Sequence, residues 1–207
     1  MPVVYILLDG AGYSFDIFID NFRKKWQLQF EPHREEDSLG MIIDGRIVGC
    51  TIVPYPIVES ALIKYARENM FWPEAEACVA KHKAHLKVAI AREGDPVAAH
   101  TLLSKVIYSL LQQRNALCVY LKPGLIEPSY YIKCAEELVK KKLPTELWVH
   151  INSTGSETGD SFSFNTVGMN KFGKKEFDIK NTKKNFIDAY YCLKEQIKAT
   201  IENDIKK

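Results

Sequence analysis

The chain lacks every short word that would announce a reaction. It contains no GxSxG elbow, no kinase signature, no deaminase HxE with PCxxC, and no helix-borne HExxH. There is no CxxC pair either. The five cysteines (Cys50, Cys78, Cys118, Cys134, Cys192) are odd in number, widely spaced and set among apolar neighbours. That pattern argues against a disulfide framework or a zinc knuckle and for reduced core thiols. Long hydrophobic runs are also missing. Val3 to Leu8 is followed at once by Asp9, without the basic start and cleavage pattern of a signal peptide, and no stretch approaches a bilayer span. Net charge is close to balanced, at +2, and aromatics are not interleaved with a basic strand surface. No nucleic acid is expected as partner. Repeats, low-complexity tracts and linkers are absent. The expectation is a cytoplasmic protein with no membrane attachment.

What is present is an ordinary globular composition: 207 residues, 46% hydrophobic and 26% charged, enough chain for a substantial core. Charge is mildly uneven. Residues 1–50 hold five Lys/Arg against eight Asp/Glu, and residues 171–184 hold six Lys against two acids, a cluster best read as a solvated face. Val3 to Leu8 reads as a buried strand. Ser14 caps a helix whose Phe15, Phe18, Ile19, Phe22 and Trp26 share a face. Residues 27–39 read as a polar loop. Asp44-Gly45 joins two apolar runs as a hairpin, so the chain starts β-α-β-β.

Pro56 and Pro73 suit first-turn positions of two helices, the second with Glu74 and Glu76 at its start and Lys81 to Lys83 at its end. Residues 85–90 alternate as a half-buried strand. Asp95-Pro96 opens a helix with a broad apolar stripe from Leu102 to Leu111. A strand at 117–121, a helix at 128–142, a strand at 147–151, a loop at 153–160, a strand around Phe162 and Phe164, and a closing helix from Phe186 to Ile201 complete the reading. The predicted class is α+β: a layered mixed sheet with helices packed on it. It forms one domain over 1–207, with a division into subdomains of about 1–55 and 56–207 as an alternative.

Three constellations invite chemistry. Gly10-Ala11-Gly12 sits between a strand and a helix, but Phe15 stands where a dinucleotide fingerprint needs its third glycine, so a permissive turn fits better. Cys78 and His82 share a helical face, the geometry of a thiol beside a base; the same face carries Ala75 and Val79, which favours a buried pair. His82 and His85 could offer two metal ligands, with His100, His150 or Glu176 joining them. The other reading has His82 capping helix carbonyls while His85 faces outward beside Lys87. No metal site and no cofactor is assigned.

Two unusual words remain: Phe71-Trp72-Pro73-Glu74-Ala75 with Lys81-His82-Lys83-Ala84-His85, and Thr166-Val167-Gly168-Met169 with Phe172-Gly173-Lys174-Lys175-Glu176-Phe177-Asp178-Ile179. With Leu143 to Val149, they resemble the uncharacterised, mostly bacterial domain-of-unknown-function family 4261, from about Met41 onward. That family has no agreed active site, so the resemblance gives no catalytic residues to carry over. The second word is also loosely similar to a piece of suppressor-of-fused and immunity-type proteins, which implies binding to other proteins. The expected function is therefore a non-catalytic protein-binding domain with a protein partner. Its candidate binding residues are Trp72, His82, His85, Thr166, Gly168, Gly173 and Glu176, with Trp72 or Tyr130 as exposed anchors. The alternative is a small-molecule hydrolase built on His82, His85 and Glu176. Whether the chain is an enzyme, and its oligomeric state, stay open at this stage.

Overall fold

A computed structural model describes residues 3–91, 94–156 and 160–203. The fold is α+β, as expected, and the chain divides into two compact units, Met1–Ala135 and Glu136–Lys207. The division falls in the fifth helix. It does not fall near residue 55, because strands on both sides of that point share one sheet.

In the first unit the order is β1 (Val3–Leu8), α1 (Phe15–Trp26), β2 (Pro32–Arg34), β3 (Ser38–Ile43), β4 (Arg46–Val53), α2 (Ser60–Arg67), α3 (Ala75–Lys81), β5 (Ala84–Ile90), α4 (Pro96–Leu110), β6 (Ala116–Leu121), β7 (Gly124–Ile126) and α5 (Pro128–Glu136). The seven strands form one sheet in the order β2-β3-β4-β5-β1-β6-β7. Every pairing is antiparallel, so the sheet expected as mixed runs antiparallel throughout.

Local chemistry sets several of these elements. Ser14 caps α1 by accepting from the Ile17 N–H, and Phe15, Phe18, Ile19 and Phe22 bury the face read from the sequence. Each such side chain contributes about 1.5–3 kcal/mol on burial. Asp44 and Gly45 both take positive φ, +48° and +74°, which is what a tight β3–β4 hairpin needs. Asp95 accepts from the N–H groups of Val97 and Ala98 and so starts α4.

Alternation along β1 sends Val4, Ile6 and Leu8 to one face and Tyr5 and Leu7 to the other. On the first face the buried row continues through Leu86, Val88 and Ile90 of β5, with α4 against that strand and α1 against α4. On the second, Leu7, Cys118, Tyr120 and Leu125 form a core with Leu62 and Ala66 of α2 and with Trp72, Ala75 and Val79 around α3.

The structure departs from the sequence reading where tertiary partners decide. Residues 27–39, read as a loop, contain the edge strand β2, paired to β3 by Pro32↔Met41 and Arg34↔Leu39. Pro56 and Pro73 both precede their helices instead of lying in the first turns, and Glu59 and Glu74 occupy the N-cap positions. The strand read as half-buried, β5, is interior and buried along most of its length. The helix read to residue 142 changes to a 3₁₀ turn at Glu137–Lys140.

The second unit is a three-stranded antiparallel sheet, β10-β9-β8, of β8 (His150–Gly155), β9 (Phe162–Val167) and β10 (Asp178–Thr182), followed by α6 (Phe186–Glu202). The strand read at 147–151 starts later, after a 3₁₀ turn at Thr145–Leu147, and runs into the segment read as a loop. Residues 157–159 of that loop lie outside the described residues. Phe186 meets Phe162 and Phe164 at ring separations of 5.0 and 5.3 Å, and α6 buries Ala189, Leu193, Ile197 and Ile201.

Candidate functional site

The expected site residues fall into two groups, one in each unit. In the second unit, β9 ends at Val167 and the chain turns through a 3₁₀ segment, Met169–Phe172. Gly168 permits that turn. Its φ is +126°, and a Cβ would stand 2.8 Å from the Trp148 carbonyl oxygen and 3.3 Å from the Val149 Cα. Gly173 closes the segment at φ +69°, its N–H on the Asn170 carbonyl.

Glu176 then folds back over the N-terminal end of this turn. Its Oε1 accepts from the N–H groups of Gly168 and Asn170, at 2.9 and 3.2 Å. Its Oε2 accepts from the Thr166 hydroxyl and the Met169 N–H, at 2.7 and 3.2 Å. The Thr166 oxygen accepts in turn from the Phe177 N–H. Desolvation alone would raise the Glu176 pKa, but the four donors together outweigh it and hold the carboxyl below its usual range. Thr166, Gly168, Met169 and Asn170 thus cradle the Glu176 carboxylate, the same physics that places acidic groups at helix N-termini, while Gly173 only closes the turn.

In the first unit, Trp72 belongs to the core, at 8% exposure, and is not the exposed anchor expected; its neighbour Phe71 is 60% exposed. His82 caps α3, donating from Nδ1 to the Val79 carbonyl, while its Nε2 accepts from the Ile57 N–H at 2.9 Å. His85, expected to face outward, is buried. Its Nδ1 donates to the Tyr55 carbonyl at 2.9 Å, and Tyr5 meets its ring edge-on at 5.7 Å. Burial lowers the His85 pKa; the bond to Tyr55 offsets this in part, and His82 and Lys87 add to the lowering. The two histidines therefore clamp one backbone segment, at Tyr55 and Ile57.

These bonds limit what the residues can do chemically. Both nitrogens of His82 are engaged, which leaves none for the Cys78 thiol; burial is the leading cause of that thiol's raised pKa. Glu176 spends both oxygens on its cradle. Among the described residues no group of three or more His, Cys, Asp or Glu is placed to hold a metal ion. The Gly10–Gly12 turn adopts no left-handed backbone, and side-chain amides latch it: Asn115 donates to the Gly12 carbonyl and Gln113 brackets Ser14. Shallow depressions of 260 and 390 Å³ lie in the second and first units respectively, and neither is lined by an expected site residue.

Sequence reasoning missed another polar cluster, on the α2 side of the first unit's sheet. Glu59, at the start of α2, accepts from the Tyr120 hydroxyl at 3.0 Å and from the Lys122 ammonium at 2.8 Å. The Tyr120 ring lies 5.9 Å from Tyr5 and 6.3 Å from Tyr65. Burial and the adjacent carboxylate raise the Tyr120 pKa, and Glu59 raises that of Lys122. One signal was available. Tyr5 and Tyr120 interrupt otherwise apolar strands, and a phenol in such a place must find a partner or an outlet.

The chain matches no family model, no curated protein and no solved structure.

Proposed function

We propose that this chain is a non-catalytic protein-binding domain whose contact surface lies on the first unit, between Tyr55 and Phe71. One observation carries the reading. Tyr55, Val58, Ile63, Met70 and Phe71 all expose their side chains within this segment, Val58 at 92%. Apolar surface concentrated in this way is characteristic of interaction sites, and aromatic side chains are frequent anchors in them.

The histidines give the surface its rigidity. With the backbone held at Tyr55 by His85 and at Ile57 by His82, Tyr55 and Val58 are presented on a fixed frame. Less conformational freedom is then lost on binding. In this reading His82 and His85 position the contact surface without touching the partner, and Trp72, next to Phe71 in sequence, belongs to the core. The five free cysteines are consistent with the reducing cytoplasm, and no helix among the described residues is long and apolar enough to cross a membrane.

The test is capture of partners from the protein's own cells by the tagged chain, alongside a Val58→Asp/Phe71→Asp double variant. The wild type is expected to retain a protein at stoichiometric amounts. The variant, with an unchanged circular dichroism spectrum, is expected to lose it. A partner held equally well by both would show that this surface is not the contact.

A further inference from the structure

The cluster around Glu59 has the parts of a cation receptor. Three phenol rings converge from three elements: Tyr5 from β1, Tyr120 from β6 and Tyr65 from α2. Tyr120 is fully buried, so its ring and hydroxyl have fixed positions, and that hydroxyl holds one oxygen of the Glu59 carboxylate. Tyr5 and Tyr65 are only partly buried, which leaves the cluster a side open to solvent. A ring face carries negative potential, and several rings beside a carboxylate make the arrangement that recognises ammonium groups.

The arrangement already holds an ammonium, supplied by its own chain. The Lys122 Nζ lies 2.8 Å from Glu59 Oε1 and 5.8 Å from the centre of the Tyr120 ring. The Lys122 side chain is nevertheless 55% exposed. Exposed ion pairs are weak, and a lysine stem rotates freely, so this occupant can leave for water at little cost. The receptor elements do not depend on it. Tyr120 continues to orient Glu59, and the sheet and α2 continue to hold the rings.

We propose that Tyr5, Glu59, Tyr65 and Tyr120 form a binding site for an ammonium group of a ligand, free or methylated, and that Lys122 is its displaceable internal occupant. The ammonium belongs either to a small alkylamine or to a lysine side chain of a polypeptide; the chemistry of the site is common to both. This inference does not rest on the protein-binding reading above and uses none of the residues altered in its test.

Removing the internal occupant should uncover the site. Tetramethylammonium chloride is titrated into wild type, Lys122→Ala and Lys122→Ala/Glu59→Gln, at constant ionic strength with sodium chloride as the control. Binding is read from the aromatic carbon–proton NMR signals of Tyr5, Tyr65 and Tyr120. Lys122→Ala is expected to give saturable shifts of these rings, with affinity about tenfold above wild type and about tenfold above the double variant. Lys122→Met, which keeps the aliphatic stem, repeats the measurement should the alanine variant not fold. A peptide carrying trimethyl-lysine is titrated in parallel. Tighter binding than tetramethylammonium assigns the ammonium to a polypeptide, and equal binding assigns it to a small cation. Shifts that do not saturate in a folded Lys122 variant, or that survive Glu59→Gln unchanged, overturn the proposal.

Discussion

Replacing Gly168 by alanine tests the account of the second unit most directly. Two costs arise at this position. An L-residue at φ +126° is strained by about 1–3 kcal/mol. The new methyl group would also stand 2.8 Å from the Trp148 carbonyl oxygen and 3.3 Å from the Val149 Cα, both main-chain atoms that cannot rotate aside. Overlap of this kind adds about 1–3 kcal/mol. Gly173→Ala is the matched control. Its φ of +69° imposes about 1–2 kcal/mol of left-handed strain, but nothing lies within 4 Å of the added carbon. Both changes remove the same flexibility from the unfolded chain, so that contribution cancels in the comparison. Gly168→Ala is therefore expected to be about 2 kcal/mol less stable than Gly173→Ala. In urea this moves the midpoint down by roughly 1 M relative to the control. The unfolding is followed by far-ultraviolet circular dichroism. Equal midpoints, or a lower one for Gly173→Ala, would falsify the claim that close approach of the main chain at Trp148 is what requires glycine.

Two further expectations use the same unfolding assay. Glu176→Gln should lose about 1–2 kcal/mol at pH 7, because an amide turns its NH₂ towards two of the four donors; the figure is reduced for the exposure of the side chain. Since folding lowers this carboxyl's pKa, its stabilisation is present above the unfolded value near about 4.3 and is lost as pH falls through the folded value. The gap between wild type and Glu176→Gln should thus narrow towards pH 3, and a gap independent of pH would mean that the charge is irrelevant. For the neighbouring aromatics, Trp72→Ala should cost about 3–5 kcal/mol and Phe71→Ala less than about 1 kcal/mol. Comparable losses would show that Phe71 is a core residue and not an exposed contact.

Features that depend on a few adjacent atoms were legible before the structure. Ser14, Asp95 and Asp44-Gly45 each act on residues two or three positions away, and each was read correctly. Features that depend on distant partners were not. His85 alternates with apolar neighbours as an outward residue would, yet β1 and β4 flank its strand and Tyr55 caps its ring nitrogen. The two glycines of the Thr166–Ile179 word could be read as turns. The task of Glu176 could not, since the carboxylate reaches back six to ten residues to groups whose direction only the folded turn defines. Glu59 was invisible for a similar reason: its partners stand 61 and 63 positions away.

The margins of the seven-stranded sheet bear on how the protein behaves in a crowded solution. It ends on three-residue strands at both sides, β2 and β7, and the outermost one begins with a proline and continues with an exposed histidine and arginine. An unpaired strand is a template for another chain, and shortness, proline and positive charge each spoil the template. The inner neighbour of β2 is less well guarded. β3 is twice as long and carries the exposed Ile42 directly opposite Ile47 on β4. Those three outer residues therefore act as a selvedge, and a lesion that frayed them would bare a longer, more apolar border prone to growing edge to edge into aggregates.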